Sequence, residues 1–173
     1  RLLRSNAPWP ERRLPLILRA YARLHHAGEK APLDAPWLFP PYEERVRATA
    51  AALPEMAAQI GERVGWRPLP RLPALIDATL RDIEYLAGAP RTLVHNDVTP
   101  ANVALPRGEG SVRLIDWEMA GPGLAEMDLA FLLHQPYDNH AHLDHDAVLA
   151  CYWHERARLG GSRAPTNPAL EPL

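Results

Sequence analysis

Apolar positions in the first part of the chain recur at helical spacing. Leu14, Ile17, Leu18, Tyr21 and Leu24 share one face, Pro15 suits a first turn and Gly28 a stop, so a helix is expected over 14–27. A second helical stretch opens near Tyr42. Pro54 has no amide hydrogen to give the preceding turn and is expected to divide that stretch into two pieces. Residues 66–73 are expected to be a connector, after which Ile76, Leu80, Ile83 and Leu86 form a third apolar stripe ending at Gly88. Then the period changes. Leu93–His95, Val103–Leu105 and Val112–Ile115 are short apolar or alternating runs, and turn-forming residues separate the last two, which predicts a small sheet with a hairpin. Helical spacing returns at about 125–134 and 144–159, where Val148, Leu149, Tyr152, Trp153 and Arg156 share a face. The expected fold class is α+β, a mostly helical body with one small β element carrying the polar residues of interest.

Composition narrows the function classes. A chain of 173 residues with 47% hydrophobic and 23% charged side chains is ordinary globular material the size of one average domain. A formal net charge of −2 supplies no positive field for a phosphate backbone, so no nucleic-acid partner is expected. No apolar run approaches the ~18 residues of a membrane span, and no membrane partner is expected. Cys151 is the only cysteine and cannot form an internal disulfide, which fits a cytoplasmic protein; on its helical face it is expected to be a buried structural thiol. The chain opens at Arg1 without methionine, and a fragment or a processed chain is expected. Trp9, Trp37, Trp66 and Trp153 are expected to pack in the interior and Trp117 beneath the loop that follows Ile115. His25 and His26 close the first helix, where imidazoles suit the helix dipole.

Candidate chemistry lies on the β element. His95–Asn96–Asp97–Val98–Thr99–Pro100–Ala101–Asn102 follows one short strand and precedes another, and the hairpin returns the chain to Asp116. Strand ends joined by a hairpin can lie side by side, so Asp97, Asn102 and Asp116 could converge. Two carboxylates and an amide oxygen are hard ligands suited to Mg²⁺ held partly by protein and partly by phosphate and water, which points to phosphoryl transfer. The alternative is a polar loop capped by Asp and Asn, residues that favour turns in any case.

The spacing His-x-Asp-x-x-x-x-Asn with a following Asp resembles the catalytic and metal-binding loops of the kinase superfamily. LVHNDVTPANVAL and RLIDWEMAGPGLAEMDLAFLL resemble the aminoglycoside phosphotransferase and choline kinase branch, with Asn96 where protein kinases usually carry Arg and Asp116–Trp117–Glu118 where they carry Asp-Phe-Gly. Asp128–Leu129–Ala130 and the helix ending YARLHHAG resemble the same branch, and the likeness covers most of 14–159. It implies a kinase-like C-terminal lobe over 1–173: a helical part with substrate-side helices at 1–90, catalytic and metal loops at 91–135, a C-terminal helix at 136–160 and a tail at 161–173. It also implies that Mg²⁺ and ATP, or GTP, serve to phosphorylate a hydroxyl of a small molecule whose identity no short motif encodes. Asp97 would be the catalytic base, Asn102 and Asp116 would hold Mg²⁺, Asp128 would brace the catalytic loop and His95 would orient backbone around Asp116.

Other features set limits. No Gly-x-Gly-x-x-Gly or Walker pattern occurs, and the only lysine, Lys30, sits in a loop between helices and is expected to be solvated. A nucleotide-binding N-terminal lobe is therefore expected in cis, outside these residues, and the chain alone is expected to bind ATP poorly. A catalytically silent kinase-like binding module is the non-enzymatic alternative. His140–Ala141–His142–Leu143–Asp144–His145 spells the H-x-H-x-D-H signature of dinuclear zinc hydrolases. That family needs further ligands well downstream, however, and only 28 residues follow His145. Asp144 and Asp146 equally suit the N-terminus of the last helix.

Overall fold

The computed structural model describes residues 8–65, 71–86, 88–106, 111–134 and 143–160. The architecture is α+β, mostly helical with two small antiparallel sheets. In chain order the elements are α1 (Leu14–Gly28), α2 (Tyr42–Val64), α3 (Leu72–Leu86), β1 (Thr92–Val94), β2 (Val103–Ala104), β3 (Arg113–Leu114), β4 (Gly121–Gly123), α4 (Ala125–His134) and α5 (His145–Arg158). Among the described residues no helix is long and apolar enough to cross a membrane. The chain forms two compact units: one takes in the chain up to Phe39 and from Pro90 onward, the other is Pro40–Ala89.

In the first unit α1 is the central strut. A 3-10 turn at Glu11–Arg13 leads into it and Pro15 sits in its first turn, where the missing amide hydrogen costs nothing. Its face of Ile17, Leu18, Tyr21 and Ala22 is at most 1% exposed and packs in one cluster with Trp9, Val98, Val103, Leu129, Leu132, Val148 and Tyr152. Gly28 ends the helix where β1 crosses it, and a Cβ there would run into the Leu93 amide nitrogen and the Thr92 hydroxyl. Thr92 uses that closeness to donate its hydroxyl to the His25 carbonyl.

The β runs pair otherwise than as one sheet. β2 pairs with β3, Val103 opposite Leu114, and the hairpin joining them passes through residues outside the description. β1 pairs instead with β4, Thr92 opposite Gly123 and Val94 opposite Gly121. Gly-Pro-Gly has almost no strand propensity, but glycine allows a close approach: a Cβ on Gly121 would strike the Phe39 carbonyl.

In the second unit α2 runs unbroken through Pro54. The ring removes one hydrogen bond, but alanines at 48, 50–52 and 57–58 favour helix strongly, and Gln59 bonds Glu55 across the following turn. Gly65 closes α2 at φ 67° and returns its amide to the Gly61 carbonyl. α3 starts at Leu72, inside the stretch expected to be a connector, because Pro73 fits a first turn as Pro15 does. Ala50, Leu53, Ala57, Gly61, Leu72 and Ile76 line a cavity of about 900 Å³ between the two helices. Trp9 is buried as expected of a packing residue, whereas Trp37 is 67% exposed in a turn between helices and packs against little. Trp66 lies outside the described residues.

Candidate active site

The site is built from two loops, each turned by a non-glycine residue in the left-handed region. β1 ends at Val94; His95 is fully buried, and Asn96 then takes φ 62°. Asparagine tolerates this conformation better than most residues, at a cost of about 1 kcal/mol that surrounding contacts must offset. They do so from two sides: the Asn96 backbone N–H donates to Asp128 Oδ1 at 2.8 Å and its side-chain Nδ2 to the Met119 carbonyl at 2.9 Å. The His95 N–H donates to Asp128 Oδ2, also at 2.8 Å.

Asp97 follows, and the chain folds back on it. Its carbonyl accepts from the Thr99 amide at 2.9 Å, Pro100–Asn102 form one 3-10 turn, and Asn102 Nδ2 donates to the Asp97 carbonyl at 3.0 Å and to Asp97 Oδ2 at 2.7 Å. With both hydrogens of Nδ2 occupied, Asn102 keeps Oδ1 as its remaining side-chain group and Asp97 keeps Oδ1 of its carboxylate.

The second loop leaves β3. The Ile115 amide donates to the Asn102 carbonyl at 3.0 Å, and His95 Nε2–H donates to the Ile115 carbonyl at 2.9 Å, so Ile115 is tied to both ends of the first loop. Asp116 comes next, exposed and at φ 64°. Its carboxylate makes no hydrogen bond or ion pair among the described residues. Trp117 lies against the His95 ring, centroids 4.9 Å apart, and donates Nε1–H to the Leu114 carbonyl at 3.1 Å. The structure thus joins Asp97 and Asn102 side chain to side chain and brings Asp116 beside them through backbone.

Asp128 is 1% exposed in the first turn of α4, and its two oxygens are consumed by the His95 and Asn96 amides and by His25 Nε2–H at 3.0 Å. His25 does more than close α1 beside the helix dipole: it is fully buried, and its Nδ1 meets the Tyr152 hydroxyl at 2.7 Å. The signal was its phase: four residues after Tyr21, it falls on the buried face of α1. Tyr21 lies close by, with no hydrogen-bond partner for its hydroxyl among the described residues. Burial, and after it the charges of Asp128 and Asp97, push its phenol well above the ordinary value.

The donor set fits a hard divalent cation. Asn102 Oδ1 and the Asp116 carboxylate are uncommitted oxygens on loops bonded to each other. Among the described residues no three His, Cys, Asp or Glu side chains form a metal-binding group. His140 and His142 lie outside the described residues, while Asp144 of the same string is spent as the N-cap of α5, accepting from the Ala147 amide at 3.0 Å.

Comparison with known proteins gives a family and a fold. The family model "Phosphotransferase enzyme family" matches residues 4–159. A crystal structure of an aminoglycoside-3'-phosphotransferase of type VIII is similar in fold, with a TM-score of 0.54 and 22% sequence identity. The likeness covers 91% of this chain and 58% of that one. No curated protein matches. Because the match takes in most of the 173 residues, the chain belongs to the phosphotransferase enzyme family.

Proposed function

We propose that this chain carries the catalytic and metal loops of an enzyme that transfers a phosphoryl group from ATP or GTP to a hydroxyl of a small molecule. The observation that carries this reading is the double hydrogen bond from Asn102 Nδ2 to Asp97, which fixes the carboxylate and leaves an oxygen free on each residue. Asp97 Oδ1 would accept or orient the proton of the attacking hydroxyl as the oxygen attacks phosphorus. Asn102 Oδ1 and Asp116 would hold Mg²⁺, which when bound supplies positive charge against the phosphate oxygens. His95 holds Ile115, and through it Asp116, while Asp128 holds the backbone turn that aims Asp97. The nucleotide would also need contacts from an N-terminal lobe in cis, since the sequence offers no glycine-rich phosphate loop and no strand lysine. We place the protein in the cytoplasm.

The test is nucleotide-dependent phosphorylation across a panel of hydroxyl compounds, with Asp97→Asn as the control. Loss of a positioned base is expected to lower the rate by about 10²–10⁴-fold. Unchanged activity in Asp97→Asn would remove that residue from its role, and inactivity of the parent protein across the panel would favour a binding module.

A further inference from the structure

Behind the site runs a buried polar relay that the proposed reaction does not use directly. Asp128 receives His25 Nε2–H, and His25 Nδ1 faces the Tyr152 hydroxyl of α5, all three residues being at most 1% exposed. The hydrogen inventory orders the relay. Nε2 must carry a hydrogen to bond a carboxylate, and the Tyr152 hydroxyl has no other partner among the described residues, so the phenol donates to Nδ1 and every member is satisfied. Burial, against the opposing charge of Arg156, raises the Tyr152 phenol far above its ordinary value and keeps it a donor.

The same two helices are joined one turn further on, where Arg156, 2% exposed, pairs with Glu29 just past the end of α1. His25 and Glu29 are four apart on one side, Tyr152 and Arg156 four apart on the other, so α5 is held to α1 by two polar rungs in register. The first rung is the one that continues, through Asp128, to the amides of His95 and Asn96.

We propose that Tyr152 and His25 are positioning residues for the catalytic loop, so that the docking of α5 on α1 sets the left-handed turn at Asn96 and with it the aim of Asp97. The inference rests on the reading of Asp97 given above, and its test is chosen to stand apart from it. Without the Tyr152 hydroxyl, His25 Nδ1 is left a buried acceptor with no donor, and the imidazole loses the contact that fixes its orientation toward Asp128. Asp128 is then held less firmly against the two backbone amides, of which that of Asn96 belongs to the left-handed turn.

Amide hydrogen exchange and activity are measured on the full chain and on Tyr152→Phe, which keeps the ring and removes only the hydroxyl. The loss of one buried hydrogen bond is expected to speed exchange at His95 and Asn96 about fivefold relative to the Leu132 amide in the core of α4. Where turnover is measured, kcat falls about fivefold while the nucleotide KM stays within about twofold. His25→Gln, which can present a donor near the Nε2 position, is expected to keep more protection at the two amides than His25→Leu. Equal acceleration at all three amides, or none at His95 and Asn96, would overturn the proposal. The exchange result holds whether or not the enzyme phosphorylates any compound tried, so failure of the activity and failure of the relay are told apart.

Discussion

The two compact units bury different things. The unit built around α1 places His25, His95 and Asp128 at 0 to 1% exposure and satisfies nearly all of their polar atoms, so its interior specifies one arrangement of two loops. The Pro40–Ala89 unit leaves Met56, Ile60, Val64 and Leu75 exposed and encloses an open apolar cavity between two helices. Fixed hydrogen-bond networks are how a protein holds reacting groups to a fraction of an ångström; loosely packed helix surfaces can change sequence without disturbing that geometry. A common set of loops can therefore serve one chemistry while a helical pair beside them in sequence varies freely.

That contrast can be broken by substitution. The largest expected effect is the loss of rate in Asp97→Asn, which on the proposed role of that residue touches chemistry without touching the core. Next in size is Ile17→Ala: it empties a fully buried position on α1 and is expected to cost about 2–5 kcal/mol, whereas Val64→Ser, at a position 72% exposed, is expected to stay within about 0.5 kcal/mol. Urea unfolding of both variants measures the difference, and equal costs would erase the distinction between the units.

A smaller effect sharpens the same comparison on the rim of the α1 unit. Hydrogen bonds from Arg158 hold the Glu155 carboxyl below the ordinary carboxylate range against the opposing effect of its own burial, with help from the charges of Arg158, Arg23 and Arg19. A carboxylate with a lowered folded pKa stabilises the fold above its ordinary titration near about pH 4.3, and that contribution disappears as pH falls through the lowered value. Glu155→Gln is thus expected to lower the urea midpoint at pH 7 and to match the parent protein under strongly acid conditions. A deficit that persists unchanged in acid would assign the effect to packing instead of charge.

The candidate site was legible because its key spacing is local. Asp97 and Asn102 lie five residues apart and bond within one loop, so the chain itself carries the geometry. The position of Asp116 needed only a hairpin, and β2 with β3 supplies it. Long-range pairing was not legible. Gly121–Pro122–Gly123 has no strand signature, and its partnership with β1 is set by close approach to Phe39 and Val94, which no local pattern reveals. Pro54 was given too much weight because a single missing bond was set against an alanine-rich helix. His25 was read only as an imidazole closing α1, while its phase with Ile17, Leu18 and Tyr21 pointed it inward to a buried role.

The central claim is that Asn102 and Asp116, beside Asp97, hold a divalent cation against a nucleotide. Paramagnetic broadening tests it most directly: Mn²⁺ added with ATP to the full protein is expected to broaden first the Asn102 side-chain amide and the Asp116 backbone amide, and Asp116→Ala is expected to abolish that pattern. Broadening centred elsewhere in the chain, or the same broadening in Asp116→Ala, would contradict the account.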